Sequence, residues 1–454
     1  MKYLILVAGL LLAACAPQAP TGPLLPPDQG AILLEFPPMR SFAAASPGRA
    51  TRPNAEITRD FSDLSFRLES GRVLPVFTRF ETPVTVRFNG TPPAHLSADL
   101  EGLLARLRAE AGIDIRSSAA ADANIVIELV SQRELRRVAP GAACFVVPRV
   151  RNWAELRRER NSAVIDWTTL QVRERAAVFM PETATPQEMR DCLHEELAQA
   201  LGPLNDLYRL ADSVFNDDNM HAVLTGFDML ILRVTYAPEL RSGMSQAEVM
   251  ALVPGILARL NPAGERPGAQ DPLPTTRDWV AAIEVALGGS GAPAAIRRQE
   301  AARAIAIGQA RGWSGVRPGF AQYVFGRLQI SNDPGLALGA FTAAARAYQG
   351  NPDLLIHSAH VDVQLAAFAL IAGDAEAVLA LTGPAINVAR RHENAAILTL
   401  LMMFRAEALD LQGQTDAAMA LRLDSLGWGL YGFGSRDEVV ARLNEIASLS
   451  RPQS

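Results

Sequence analysis

Lysine is the residue type that this chain lacks. Among 454 residues the only lysine is Lys2, so the chain beyond it has no side-chain amine. Walker-loop nucleotide binding, Schiff-base catalysis, Ser-x-x-Lys hydrolysis and protein kinase chemistry each use a lysine. These four classes are therefore excluded, and no nucleotide is expected as a ligand. A Gly-x-Ser-x-Gly nucleophile elbow is also missing.

An excess of positive charge is missing as well. The net charge is -5 and 20% of the residues are charged, without a basic stripe along the chain. Nucleic-acid binding through the release of counterions is therefore not expected. Hydrophobic residues make up 49% of the chain, which is enough to bury the cores of two or three domains.

Residues 1–15 have the pattern of a lipoprotein signal peptide. Lys2 precedes an apolar run from Leu4 to Leu12, which is shorter than the roughly 20 residues of a membrane-spanning helix. The run ends in Leu12-Ala13-Ala14-Cys15, which resembles a bacterial lipobox. We therefore expect acylation of Cys15; the alternative is an ordinary secretory signal that contains a cysteine by chance.

Acylation of Cys15 would anchor the chain to a membrane lipid surface outside the cytoplasm, because several acyl chains bind a bilayer firmly. The expected location is the periplasmic face of the bacterial cell envelope. Ala16 after the cysteine favours the outer membrane. Residues 16–56 are rich in proline and alanine and are predicted to form a tether.

Residues 57–260 are predicted to form an α+β domain with a mixed sheet. Alternating apolar residues predict a strand over residues 84–88, which ends at the turn pair Asn89-Gly90. Leucines at helical spacing follow, and Gly112 ends that helix. Further strands are expected at residues 125–127 and 177–180.

The helix on which the interpretation of this domain depends has clear ends. Thr185 is predicted to cap it, with Pro186 in the first turn and Glu188 completing a capping box. Gly202 followed by Pro203 ends it.

Polar residues lie along one flank of this helix. The apolar stripe consists of Met189, Leu193, Leu197, Ala200 and Leu201. Glu195, Glu196 and Gln199 lie beside the stripe, whereas His194 lies on the other flank. The fourth residue after His194 is Ala198, which cannot bind a metal, so His194-Glu195 does not begin a His-Glu-x-x-His site.

The spacing of a zinc site nevertheless survives one residue further on. The run Glu195-Glu196-x-x-Gln199-x-x-Gly202-x-x-Asn205-Asp206 follows His-Glu-x-x-His-x-x-Gly-x-x-His. Glu195, Gln199 and Asn205 occupy the ligand positions, and Glu196 occupies that of the general base. Amide oxygens are poor zinc ligands, so no metal and no other cofactor is expected. Glu195, Gln199, Asn205 and Asp206 are instead predicted to contribute to a binding site.

Two later segments extend this pattern. Ser213-Val214-Phe215 and the segment from Leu224 to Tyr236 resemble the turn and the last helix of matrixin-type domains. Together with Gly243-Met244-Ser245, these features resemble a family of proteobacterial lipoproteins with a domain of unknown function. The resemblance implies a degenerate metzincin-type zinc metalloprotease domain and names no reaction.

Two cysteines remain once Cys15 is acylated. Cys144 and Cys192 are an even number in an oxidising compartment, and we expect a disulfide between them. The alternative is a pair of buried thiols.

Residues 261–276 contain four prolines and are predicted to form a linker. Residues 277–450 have helical patterns separated by breaks such as Asn332-Asp333-Pro334 and Gly373-Asp374. They resemble tetratricopeptide-type repeats, which commonly bind a peptide or protein. An ordinary helical bundle is the alternative, and His357 and His360 are expected to serve packing or the surface.

The sequence supports three hypotheses for the function. We favour a lipid-anchored envelope protein whose degenerate protease domain binds or scaffolds, joined to a helical module for a protein or peptide partner. The second is an unusual metal-dependent peptidase or hydrolase with Glu196 as the catalytic base. The third is an adaptor that acts through the helical module alone.

Overall fold

The computed structural model describes residues 36–42, 48–268, 274–289 and 291–450. These residues divide into two compact units. The first comprises residues 48–184, 189–268 and 274, and the second comprises residues 36–42, 185–188, 275–289 and 291–450. Cys15, the expected signal peptide and most of the expected tether lie outside the described residues.

The first unit is built on a five-stranded mixed sheet with the strand order β2-β1-β3-β5-β4. The strands are β1 (Val84–Asn89), β2 (Ile115–Ser117), β3 (Ile125–Val130), β4 (Phe145–Pro148) and β5 (Ala176–Pro181). All neighbouring pairs are parallel except β4 with β5. The domain is therefore α/β rather than α+β, because its parallel strands need crossover connections that place helices between them.

Seven α-helices accompany this sheet among the described residues. They are α1 (Asn54–Phe66), α2 (Ala94–Arg106), α3 (Gln132–Val138), α4 (Trp153–Glu159), α5 (Pro186–Leu201), α6 (Gly226–Thr235) and α7 (Gln246–Leu260). The capping box predicted for α5 is present: the Thr185 amide donates to Glu188 at 2.8 Å, and the Glu188 amide donates to the Thr185 hydroxyl at 3.2 Å.

The two faces of the sheet have separate cores. Val146 and Val178 point to the face that packs against Leu193 and Leu197 of α5, and we call this the α5 face. The neighbouring residues in the strands point the other way. There Val147, Ala177 and Phe179 pack with Leu135 of α3 and with Trp153 and Leu156 of α4. We call this second side the α3/α4 face; the alternation follows from the period of two in a strand.

The second unit is all-helical where it is described. Its helices are α8 (Arg277–Leu287), α9 (Ala294–Ala310), α10 (Val316–Gln329), α11 (Pro334–Tyr348), α12 (Leu355–Ile371), α13 (Ala375–Arg391), α14 (Ala395–Leu411), α15 (Thr415–Phe433) and α16 (Arg436–Leu449). Every second helix begins at Ala294, Pro334, Ala375 and Thr415, so a helix pair recurs about every 40 residues. Asp333 and Asp374, in two of the predicted breaks, accept hydrogen bonds from Leu336 and Ala377 as helix N-caps.

One helical segment of this unit is long and apolar enough to cross a membrane by length and composition. It spans Pro352–Ile371, and an 18-residue window within it has a mean hydropathy of 1.6, but 61% of that window is buried inside the protein. That burial is typical of a core helix. His357 and His360 lie on it and are 0% and 6% exposed, with the His357 ring 5.4 Å from that of Tyr348.

Candidate functional site

A cleft of about 510 Å³ opens beside β4 within the first unit. Its walls come from the turn after α1, from α3, α4 and the segments that follow them, from β4 and from α5. The lining residues are Leu68, Glu69, Ser70, Arg137, Val138, Ala139, Ala142, Phe145, Val146, Val147, Leu156, Arg160, Asn161, Ile165, Trp167, Glu196, Gln199 and Leu204.

No other strand of the described residues pairs with the outer edge of β4, and this open edge lies beside the cleft. Strand β4 is the last strand in the sheet order and pairs with β5 on one side. The Arg149 amide donates to the Arg175 carbonyl at 2.9 Å, in the same register that pairs Val147 with Ala177. Hydrogen-bonded and non-hydrogen-bonded pairs alternate in an antiparallel ladder. The N–H and C=O groups of Val146 therefore point away from β5, toward the open edge.

Helix α5 supplies two of the predicted site residues to the cleft. Glu196 is fully buried and Gln199 is 5% exposed, and both line the cleft wall. Glu195, Asn205 and Asp206 are also buried but are not among the lining residues. The structure thus places Glu196 and Gln199 together in the cleft wall, whereas Glu195, Asn205 and Asp206 do not line the cleft.

The amide side chains at the ligand positions are engaged in the fold. Gln199 Nε2 donates to Asp206 Oδ2 at 3.4 Å, and Asn205 Nδ2 donates to the Asp63 carbonyl at 3.0 Å. Zinc in proteins prefers imidazole and thiolate. Glu195, Gln199 and Asn205 do not fit a zinc ion, since they offer one carboxylate and two amides. Within the described part of the chain, no group of three or more His, Cys, Asp or Glu residues is placed to hold a metal.

His194 serves the core behind α5. Its Nδ1 atom accepts a hydrogen bond from the Leu224 amide at 3.2 Å, and the side chain is 1% exposed. Burial, together with the positive charges of Arg190 and Arg106, lowers the pKa of His194 well below its ordinary value. The imidazole is therefore neutral at physiological pH and acts as a packing group and acceptor.

Arg173 completes the carboxyl-terminal end of α5. Its Nη1 donates to the carbonyls of Gln199 at 2.6 Å and Ala200 at 2.8 Å, and Nη2 donates to that of Gly202. The last carbonyls of a helix lack partners within the helix and carry partial negative charge. Burial lowers the pKa of Arg173 to about 10, so the guanidinium stays charged at neutral pH. Its sequence context carried no signal for this role.

A disulfide joins the two sides of the cleft. The sulfur atoms of Cys144 and Cys192 are 2.06 Å apart. Cys144 directly precedes β4, and Cys192 lies one turn before Glu196 on α5. The open edge and the polar flank of α5 are thus covalently connected.

A second buried group that sequence reasoning missed, Asp228, orders the segment after α5. Its carboxylate accepts hydrogen bonds from the Ser213 hydroxyl at 2.5 Å, the Val214 amide at 3.1 Å and the Thr225 amide at 2.8 Å. Burial raises the pKa of Asp228. This carboxylate holds the Ser213-Val214-Phe215 turn by donors from three residues.

Comparison with known proteins identifies a domain but no activity. A domain of the family described as Protein of unknown function (DUF2927) is found over residues 54–255. This range includes the sheet, α5 and the cleft. No curated protein matches the chain. No solved structure matches it either.

The first prediction concerns Arg173. Replacing it in Arg173→Met leaves buried carbonyls of α5 without a donor, and we expect a loss of about 3 kcal/mol in the free energy of unfolding. Urea unfolding followed by tryptophan fluorescence measures it. Arg175→Met is the matched control, because the Arg175 side chain has no hydrogen bond or ion pair with any residue that the structure describes. Equal unfolding curves for the two variants would contradict the role of Arg173.

The second prediction concerns the disulfide. The double variant Cys144→Ala, Cys192→Ala releases a constraint across 48 residues. The chain-entropy relation gives a loss of about 4 kcal/mol in the free energy of unfolding. The same urea measurement checks it, with dithiothreitol-treated parent protein as a second comparison. A loss below about 1 kcal/mol would mean that the bond does not constrain the unfolded chain as this relation requires.

Proposed function

We propose that the first unit binds an extended peptide segment as an additional strand beside β4. The observation that carries this proposal is the open edge of β4 at Val146, which faces a cleft of about 510 Å³. An exposed sheet edge pairs readily with an extended chain, since main-chain hydrogen bonds supply affinity and adjacent pockets supply specificity. Apolar residues, among them Val147, Leu156 and Trp167, also line the cleft and would contact the bound segment.

The domain is proposed to be a degenerate metzincin-type metalloprotease domain that kept its cleft. A mixed sheet followed by the helix with Glu195, Gln199 and Asn205 at the ligand spacing supports this relationship. The engagement of both amides with Asp206 and Asp63 supports the view that these positions now serve the fold. Binding without hydrolysis is the resulting activity.

A hydrolase that uses Glu196 is the second candidate. The position of Glu196 in the cleft wall favours it, since a general base must lie within reach of a bound substrate. Under this hypothesis Glu196→Gln would abolish a measurable peptidase activity. The poor fit of Glu195, Gln199 and Asn205 to a zinc ion argues against it, because a metal-activated water would supply the largest part of such catalysis.

The second unit is proposed to be a tetratricopeptide-like module for a protein partner. Helix pairs that recur about every 40 residues support a stacked repeat. Stacked repeats bury their apolar faces against neighbouring repeats and often bind partners on the concave side. An adaptor acting through this unit alone remains the third hypothesis. This third hypothesis would fail if disrupting the second unit left the binding of envelope partners unchanged.

The chain is further proposed to be anchored at the periplasmic face of the envelope through Cys15. The Leu12-Ala13-Ala14-Cys15 pattern supports this location. A disulfide in the first unit suits an oxidising compartment outside the cytoplasm.

The third prediction tests strand addition. Val146→Pro removes an N–H that points to the open edge and spares the ladder with β5, so the fold should persist. A fluorescent peptide of about eight alternating valine and glutamine residues is the probe. We expect its Kd to rise about tenfold through the loss of one backbone hydrogen bond and of the strand fit beside it. Fluorescence anisotropy measures the change.

Val146→Ala is the control for this prediction, because it shortens the side chain and keeps the amide. Equal affinity of Val146→Pro and Val146→Ala for the peptide would refute strand addition. Metal analysis of the same protein, purified without chelator, separates the two functions of the domain. One tightly held zinc per chain would support the hydrolase.

The fourth prediction concerns the lipid anchor. Cys15→Ser removes the thiol that acylation requires, so the chain should move from the membrane fraction to the soluble periplasmic fraction. Cys15→Ser should also fail to incorporate labelled palmitate. Cell fractionation and labelling in a bacterial host check both outcomes. A Cys15→Ser chain that stayed on the membrane would show that another feature holds it there.

A further inference from the structure

The geometry of β4 determines which side of the sheet each residue of an added strand would face. This inference rests on the proposed strand addition. Successive side chains of a strand point to opposite faces. In an added strand one set of alternate residues would lie on the α5 face, and the other set would lie on the α3/α4 face. The chemistry of the cleft differs between these two faces.

The α3/α4 face of the cleft carries two free cations. Arg137 lies in the last turn of α3, and Arg160 directly follows α4; both line the cleft and both are exposed. Within the described ranges, neither guanidinium has an ion pair or a hydrogen bond.

Nearby acidic groups on these two helices are already paired. Glu134 is 3.7 Å from Arg157, and Glu159 is 3.3 Å from Arg158. Glu155 accepts the Arg151 amide at 2.8 Å. These acids therefore have closer partners than Arg137 and Arg160. The two cations line the cleft together with the acidic residues Glu69 and Glu196, in a chain whose net charge is -5.

The α5 face has the opposite character. There the cleft is lined by Glu196 and Gln199, with Leu204 beside them. Neither Glu196 nor Gln199 offers a positive charge to an acidic side chain. A carboxylate on this face of an added strand would lie near the acidic residue Glu196, and neighbouring like charges are unfavourable.

We propose that the cleft selects an extended segment whose alternate residues are acidic and face Arg137 and Arg160. The residues of the other set face Glu196 and Gln199 and are uncharged or basic. Backbone pairing with β4 provides affinity for any extended segment, and the two guanidinium groups favour segments with acidic side chains. Arginine suits this role because its planar donors match a carboxylate in two hydrogen bonds.

The selection should be moderate and sensitive to salt. Arg137 and Arg160 are exposed, and exposed ion pairs are screened at physiological ionic strength. We therefore expect a difference of about tenfold in Kd between acidic and neutral segments at low salt. The difference should shrink as salt is added.

The fifth prediction compares three fluorescent peptides of about eight residues, in which valine alternates with glutamate, glutamine or arginine. The full chain should bind the glutamate peptide about tenfold more tightly than the glutamine peptide, and the arginine peptide most weakly. In the double variant Arg137→Gln, Arg160→Gln the glutamate and glutamine peptides should bind alike. Fluorescence anisotropy at low and high salt measures all three.

The matched control is the double variant Arg133→Gln, Arg136→Gln. It removes the same charge from exposed positions of α3 that do not line the cleft, so it should keep the preference for glutamate. If this control lost the preference for glutamate as fully as the Arg137→Gln, Arg160→Gln variant, the preference would come from general electrostatic attraction, and the proposed contacts would be refuted.

Two further outcomes separate the inference from the proposed function. Equal binding of the glutamate and glutamine peptides to the parent chain, with both weakened by Val146→Pro, would overturn the charge selection and leave strand addition standing. If no peptide bound, or if Val146→Pro changed nothing, strand addition itself would fail and the inference with it.

Discussion

The hydrogen bonding of the carboxyl-terminal end of helix α5 is the constraint on which the first unit depends. Helix α5 ends inside the protein, where its last carbonyls cannot form hydrogen bonds with water. The buried guanidinium of Arg173 replaces water by donating hydrogen bonds to these carbonyls. A buried cation is itself unfavourable unless it is paired. Here the partial negative charge of the helix end and the ring of Trp167, 5.0 Å away, are its partners. Cation and helix end stabilise each other.

This arrangement also determines what the cleft can do. Trp167 contacts Arg173 and lines the cleft, while the disulfide connects α5 to the residue before β4. The open edge and the polar flank of α5 are thus held by a covalent bond near the middle of the helix and by hydrogen bonds at its end. A site fixed in this way loses little conformational freedom when a segment binds, which improves affinity without new contacts.

The sequence predicted best where the signals are local. Thr185, Glu188 and Gly202 marked the ends of α5, because capping depends on residues within one turn. Asp333 and Asp374 lay in predicted breaks, and each caps the helix that follows. The cysteine count named the pair that the structure joins. The open edge of β4 and the role of Arg173 were missed. Both depend on strand order and on contacts between residues far apart in sequence, which periodicity does not report.

The hydrogen bonds of Gln199 and Asn205 explain why the cleft, rather than α5 alone, is the centre of the proposed function. A protease of this plan would keep its ligands turned toward a metal. In this chain Gln199 donates to Asp206 and Asn205 donates to Asp63, so two of the three positions are committed to the fold. What remains available for a partner is the backbone edge at Val146, the apolar lining, and the side chains that flank them. The proposed strand addition needs no metal, since strand pairing needs only a free edge and room beside it.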